Sequence, residues 1–158
     1  MRRTCSYAAV TKDAVQRSKW TFYEAVKERI MIYGVGTDIV KIARIREALT
    51  KFGTRFQERI FTPIENAYCL KKKESHLHYA LRFAAKEAFA KAIGLGMQSG
   101  ITWRDIEISN EASGKPTLNL YGPSAELCAR LAIQRKFVSL SHERDYGIAV
   151  VILETDSS

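Results

Sequence analysis

Ser75-His76-Leu77-His78-Tyr79-Ala80-Leu81-Arg82-Phe83-Ala84-Ala85-Lys86-Glu87-Ala88-Phe89-Ala90-Lys91-Ala92 is the stretch on which the fold turns. Leu77, Leu81, Phe83, Ala84, Ala88 and Ala92 recur at helical spacing. They predict the longest helix of the chain, capped by Ser75 and closed at Gly94-Leu95-Gly96, where glycines permit a left-handed turn. The many alanines predict close packing of this helix against a neighbour. Upstream, residues 32–40 are apolar and β-branched, broken by Gly34 and Gly36, and predict a strand ending near Asp38. From Lys41 to Arg59 the pattern turns helical. Ile42, Ile45 and Leu49 share one face, and Lys41, Arg44, Arg46, Lys51 and Arg55 form a basic one. Thr62-Pro63-Ile64-Glu65 is a capping box that opens a short helix to about Lys73.

Downstream, residues 106–108 and 117–121 predict two strands joined by the turn-rich 110–116 segment. Pro123 opens a helix to about Arg135, and residues 137–141 and 146–153 predict a last strand pair around 142–145. This order predicts an α+β fold: a small single domain with a mainly antiparallel sheet and a long central helix. There is no internal repeat and no low-complexity tract.

At 158 residues and 46% hydrophobic content, the chain can bury one sizeable core. No apolar run approaches the roughly 18–20 residues that span a bilayer, so a soluble protein of the cytoplasm, without a membrane partner, is expected. Cys5, Cys69 and Cys128 are widely separated and form no CxxC pair, which predicts reduced thiols and neither a disulfide framework nor a zinc site. The net charge of +8 favours acidic partners without choosing among them. Residues 1–30 hold seven Lys/Arg against three Asp/Glu and carry only weak periodicity around Trp20, Phe22, Tyr23 and Val26. They read as an N-terminal extension, disordered or a misassigned start, ahead of a domain spanning 31–158. An added helix or a targeting segment is the other reading, and Asp13, Glu24 and Glu28 count against a transit peptide.

Three residues break the local pattern in ways that chemistry would explain: Asp38 in an apolar strand, Glu87 in an alanine-rich helix and His142 at a strand end. Each has an ordinary explanation when taken singly. Asp38 could cap a turn, Glu87 could pair with Lys91 four residues on in solvent, and His142 could be a packing or turn residue. Two carboxylates from separate elements are nonetheless what an Mg²⁺ site takes from a protein when phosphate oxygens and water complete the shell. Arg82, Lys86, Lys91, Gly94, Gly96 and Gly100 form a set suited to binding phosphates. The glycines match neither a dinucleotide fingerprint nor a P-loop.

Residues 34–40, Gly34-Val35-Gly36-Thr37-Asp38-Ile39-Val40, followed by Arg44-Ile45, resemble the opening signature of the bacterial holo-acyl-carrier-protein synthases. Residues 82–92, from Arg82 through Lys86-Glu87 to Lys91-Ala92, resemble their central one. Arg55-Phe56 through Arg59-Ile60, Asp105-Ile106-Glu107-Ile108, Gly114-Lys115-Pro116 and Val138-Ser139-Leu140-Ser141-His142 fall in family order, so the resemblance runs from Met31 to about Glu154. It implies a 4′-phosphopantetheinyl transferase fold and a homotrimer with coenzyme A bound in clefts between subunits. It further implies Mg²⁺ held by Asp38 and Glu87, and transfer of 4′-phosphopantetheine to a serine of acyl carrier protein, in the service of fatty acid biosynthesis. By position, Glu87 and Lys91 would be catalytic, Lys91 stabilising phosphate charge or protonating the leaving group. Arg82, Lys91, Gly94, Gly96 and His142 would contact coenzyme A. Arg44, Lys51 and Arg55 would receive the acidic carrier protein. The general base stays open between a metal-held water and a carboxylate. Departures from the pattern are Lys41 at a site often acidic, Leu81 in place of a common glycine, and Glu143 where threonine is usual.

Two rivals share the composition. A basic nucleic-acid module would need a groove-reading or stacking motif, and no zinc finger, RNP-type aromatic pair or basic zipper is present, so no nucleic-acid partner is expected. A catalytically silent carrier-protein binder would have no use for Asp38, Glu87 and Lys91 together.

Overall fold

The computed structural model describes residues 30–94, 96 and 100–156. The reading of 1–30 as an extension lies outside them except at Ile30, which already pairs with Asp156 in the first strand. The elements run β1 (Ile30–Lys41), α1 (Ile42–Ile60), α2 (Pro63–Leu70), α3 (Ser75–Ala92), a 3₁₀ turn (Trp103–Asp105), β2 (Ile106–Asn110), β3 (Pro116–Leu120), α4 (Gly122–Arg130), β4 (Ile133–His142) and β5 (Tyr146–Asp156). β5 lies between β1 and β4 in an antiparallel sheet, and β2 and β3 form a separate antiparallel pair. The α+β expectation therefore holds, with two small sheets around one central helix.

The position of α3 follows from strand alternation. Gly34, Gly36 and Asp38 pair with Leu153, Val151 and Ala149, and this side of the sheet faces α3. Val151 and Leu153 are fully buried there, each contributing about 1.5–3 kcal/mol. A Cβ added to Gly34 would overlap the carbonyl of Ala92, and one added to Gly36 would overlap that of Ala88. Glycine on the strand and alanine on the helix thus bring two backbones into direct contact, which is why an otherwise β-branched strand is interrupted twice. Leu81 has a place in the same packing: its Cδ2 stands 3.0 Å from where a Cβ of residue 147 would be, so Gly147 leaves it room. Phe61, Tyr79, Phe89, Ile106 and Ile108 complete the core on the far side of α3.

Several local expectations change. β1 continues to Lys41, so Asp38 sits inside the strand and not at its end. Ser75 is not the cap of α3; Glu74 occupies that position without a side-chain cap bond, and its carbonyl accepts from the Leu77 amide at 3.0 Å. α2 stops at Leu70, and α4 stops at Arg130 because Ala132 turns the chain at φ 53° and Ile133 begins β4. Within α1, Gly53 at φ 52° breaks the helical path. The capping box is present as read, with Thr62 Oγ1 accepting from the Glu65 amide at 3.3 Å and Glu65 Oε2 accepting from the Thr62 amide at 2.8 Å. Among the described residues no helix is long and apolar enough to cross a membrane.

Candidate active site

Asp38 points from β1 toward α3, where Glu87 and Lys91 lie one turn apart. The Lys91 ammonium donates to Asp38 Oδ1 at 2.7 Å and to the Thr37 carbonyl at 3.0 Å. Lys91 therefore bonds across to the strand, where the solvated i,i+4 reading had placed it against Glu87. Partial burial, and then the negative charge of Asp38, push the Glu87 carboxyl above its ordinary range, with Lys91 opposing. Asp38 and Glu87 share a cleft of about 390 Å³ with Ile39, Val40, Arg44, Ile45, Ala48, Phe56 and Phe83.

The donor chemistry of this pair fits a hard divalent cation. Both side chains offer only oxygen, and both line the same cleft. Among the described residues no cluster of three or more His, Cys, Asp and Glu encloses a metal, so a cation here would complete its shell with water or substrate oxygens.

Other expected site residues lie elsewhere. Arg82 is five positions before Glu87 on α3, about 140° around the helix axis. It is 2% exposed, donates to Asn110 Oδ1 at 2.8 Å and stacks on Tyr68 at 4.0 Å from the ring centre, while its buried Nε has no partner among the described residues. His142 is exposed at the end of β4 and lines a second cleft of about 350 Å³ with Arg46, His76 and Arg144. Within one chain, then, Asp38, Glu87 and Lys91 come together, while Arg82 and His142 lie away from them. Gly94 and Gly96 follow α3 at φ 78° and 61°, their amides donating to the carbonyls of Lys91 and Ala90 at 3.1 and 3.2 Å. This is the left-handed ending expected of them. Arg44, Lys51 and Arg55 are exposed on α1, with no carboxylate among the described residues within ion-pair distance.

Lys86 must be removed from the phosphate-binding set. Its side chain is 0% exposed and forms an ion pair with Glu65, also 0% exposed, at 2.7 Å. The acidic partner was visible only as half of a capping box, and nothing local ties it to a lysine 21 residues later. Asn110, which holds Arg82, was likewise read only as part of a turn.

Two carboxylates lining an open cleft, with an ammonium bonded to one of them, suit an enzyme that handles phosphate groups with a divalent cation. The chain belongs to the 4′-phosphopantetheinyl transferase superfamily, whose family model matches residues 34–151. It is 51% identical over 124 residues to the holo-[acyl-carrier-protein] synthase of Geobacter metallireducens, covering 78% of this chain and 98% of that one. Among solved structures, the holo-[acyl-carrier-protein] synthase of Neisseria meningitidis superposes with a TM-score of 0.73 at 42% identity, over 79% of this chain and 100% of that one. The Helicobacter pylori enzyme in complex with coenzyme A superposes at 0.67 with 35% identity, over 75% and 98%.

Proposed function

We infer that this chain transfers the 4′-phosphopantetheine group of coenzyme A to a serine of an apo acyl carrier protein, releasing adenosine 3′,5′-bisphosphate. The observation that carries this reading is the cleft lined by both Asp38 and Glu87, with the Lys91 ammonium bonded to Asp38. In the reaction the serine oxygen bonds to the β-phosphorus, the bond from that phosphorus to the bridging oxygen breaks, and the serine proton is lost to a base. Lys91, the exposed member of the cluster, neutralises charge on the phosphates and gives a proton to the departing bridging oxygen. Asp38 and Glu87 would hold Mg²⁺, which when bound supplies charge neutralisation at the pyrophosphate. Arg44, Lys51 and Arg55 receive the acidic carrier along α1, and Arg44 lines the cleft that contains both carboxylates.

Two features support a homotrimer with active sites between subunits. His142, read as a coenzyme A contact, lines a different cleft from the carboxylates of its own chain, so a neighbour would have to supply the missing half. Arg82 is buried against Asn110 and Tyr68 and does not bear on this. The sheet face turned away from α3 also carries exposed Val35, Ile39, Phe137 and Ile148, a patch that calls for cover. Cys69 and Cys128, both buried free thiols, support a reducing cytoplasmic setting. Residues 31–158 form the catalytic domain in this reading.

The test is the intact mass of an apo acyl carrier protein incubated with this protein, coenzyme A and Mg²⁺. One phosphopantetheinyl group should be gained, and EDTA should prevent the gain. A carrier that binds but is never modified would instead make the chain a silent binder.

A further inference from the structure

Lys86 lies at the centre of the best-conforming motif in the sequence, yet it is sealed in the interior. Its ammonium donates to the Ile60 carbonyl at 2.9 Å, Glu65 Oε2 at 2.7 Å, the Trp103 carbonyl at 2.9 Å and the Ile106 carbonyl at 2.6 Å. Three protons serve four acceptors, so the group is saturated and has none left for a substrate. The acceptors come from four places: the end of α1, the first turn of α2, the 3₁₀ turn and the start of β2. Glu65 extends the network by accepting from the Ile108 amide at 3.0 Å, and Thr62 Oγ1 donates to the nearly buried Glu107 at 2.7 Å.

An ion pair removed from water contributes little stability compared with a well-packed apolar pair of the same volume. Directional bonds from one ammonium to four segments do, however, define where the helix that carries it must sit. α3 has need of that definition. Where it crosses Gly34 and Gly36 of β1 its contact is backbone against backbone, with no strand side chain to interlock. A slip of one residue along such a contact moves every side chain of α3 by about 1.5 Å and turns it by about 100°. Glu87 directly follows Lys86, and Lys91 meets Asp38 with a single 2.7 Å bond.

We propose that Lys86, held by Glu65, is a positioning residue: it sets the axial register of α3 and so keeps Glu87 and Lys91 opposite Asp38. The proposal rests on the transferase reading above, and it assigns a task to a buried pair that the chemistry itself does not touch.

Lys86→Met removes the charge at similar length. Glu65→Gln keeps the size and an oxygen for the Ile108 amide, while its amide nitrogen faces the Lys86 ammonium and the Thr62 amide and breaks both bonds. Mn²⁺ binding to the free protein, followed by electron paramagnetic resonance, reads the Asp38–Glu87 geometry without turnover, and circular dichroism verifies that each variant is folded. Both variants should bind Mn²⁺ about 10–100-fold more weakly and lose turnover by a similar factor, with the KM for carrier protein unchanged. If Lys86→Met does not fold, Glu65→Gln decides the matter. A folded Glu65→Gln that binds Mn²⁺ and turns over as the wild type does, losing only thermal stability, overturns the proposal. Wild-type protein that modifies no carrier would remove the transferase reading instead, and the Mn²⁺ contrast between wild type and variant would still judge the positioning role.

Discussion

Gly36→Ala puts the contact between β1 and α3 under direct strain. The new methyl would overlap the Ala88 carbonyl oxygen and stand 2.5 Å from the Ala92 amide nitrogen. Ordinary contact between such atoms is about 3.5 Å, so α3 must lift from the sheet by about 1 Å or more. Backbone atoms cannot swing aside as a side chain can, which places the penalty near the top of the overpacking range, about 3 kcal/mol. For a domain of this size that lowers the midpoint of thermal unfolding by roughly 9–11 °C. Function should suffer further, because Gly36 is two residues from Asp38 and Ala88 directly follows Glu87. A displacement of about 1 Å between catalytic groups lowers turnover by about 10²-fold. Thermal unfolding by circular dichroism, with initial rates of carrier modification at a temperature where the variant is folded, measures both effects. A variant with an unchanged midpoint and wild-type turnover would refute the close approach of helix and strand on which the site geometry depends.

Other consequences can be checked separately. Asp38→Ala and Glu87→Ala should each lower turnover by at least about 10²-fold while leaving the circular dichroism spectrum intact, since both side chains face a cleft and not the core. Arg44→Glu should raise the KM for carrier protein about 10-fold, leave that for coenzyme A unchanged, and show its largest effect at low ionic strength. Burial pushes the Cys69 thiol up to about 12, so at pH 8 almost none of it is thiolate. Peptide mapping should find Cys69 unmodified by iodoacetamide in the native protein and alkylated after denaturation; rapid native labelling would contradict its burial.

What the sequence disclosed depended on the range of each interaction. Residues 77–92 announced α3 through their own periodicity, and the Thr62–Glu65 box announced the start of α2, because those signals act over three or four residues. Gly34 and Gly36 were visible as interruptions of a strand, although only the fold reveals that they admit the carbonyls of Ala92 and Ala88. Asp38, Glu87 and Lys91 were legible as a group through family resemblance; their spacing alone allowed a turn former and a solvated pair. Lys86 was misread because its neighbours in sequence are those of a phosphate-binding motif, whereas its acceptors come from Ile60, Glu65, Trp103 and Ile106. The ends of helices were least visible. Ser75 looks like a cap but lies inside α3, and α4 yields to β4 at Ala132, whose positive φ no local pattern foretells.

The most direct test of the central claim is the stoichiometry of the two products in one reaction mixture. Adenosine 3′,5′-bisphosphate should appear in a one-to-one ratio with carrier protein modified at a serine, and Lys91→Met should slow both to the same extent. Adenosine 3′,5′-bisphosphate released without modified serine would mean hydrolysis of coenzyme A, and equal rates in Lys91→Met and wild type would contradict the role assigned to the Asp38–Glu87–Lys91 cluster.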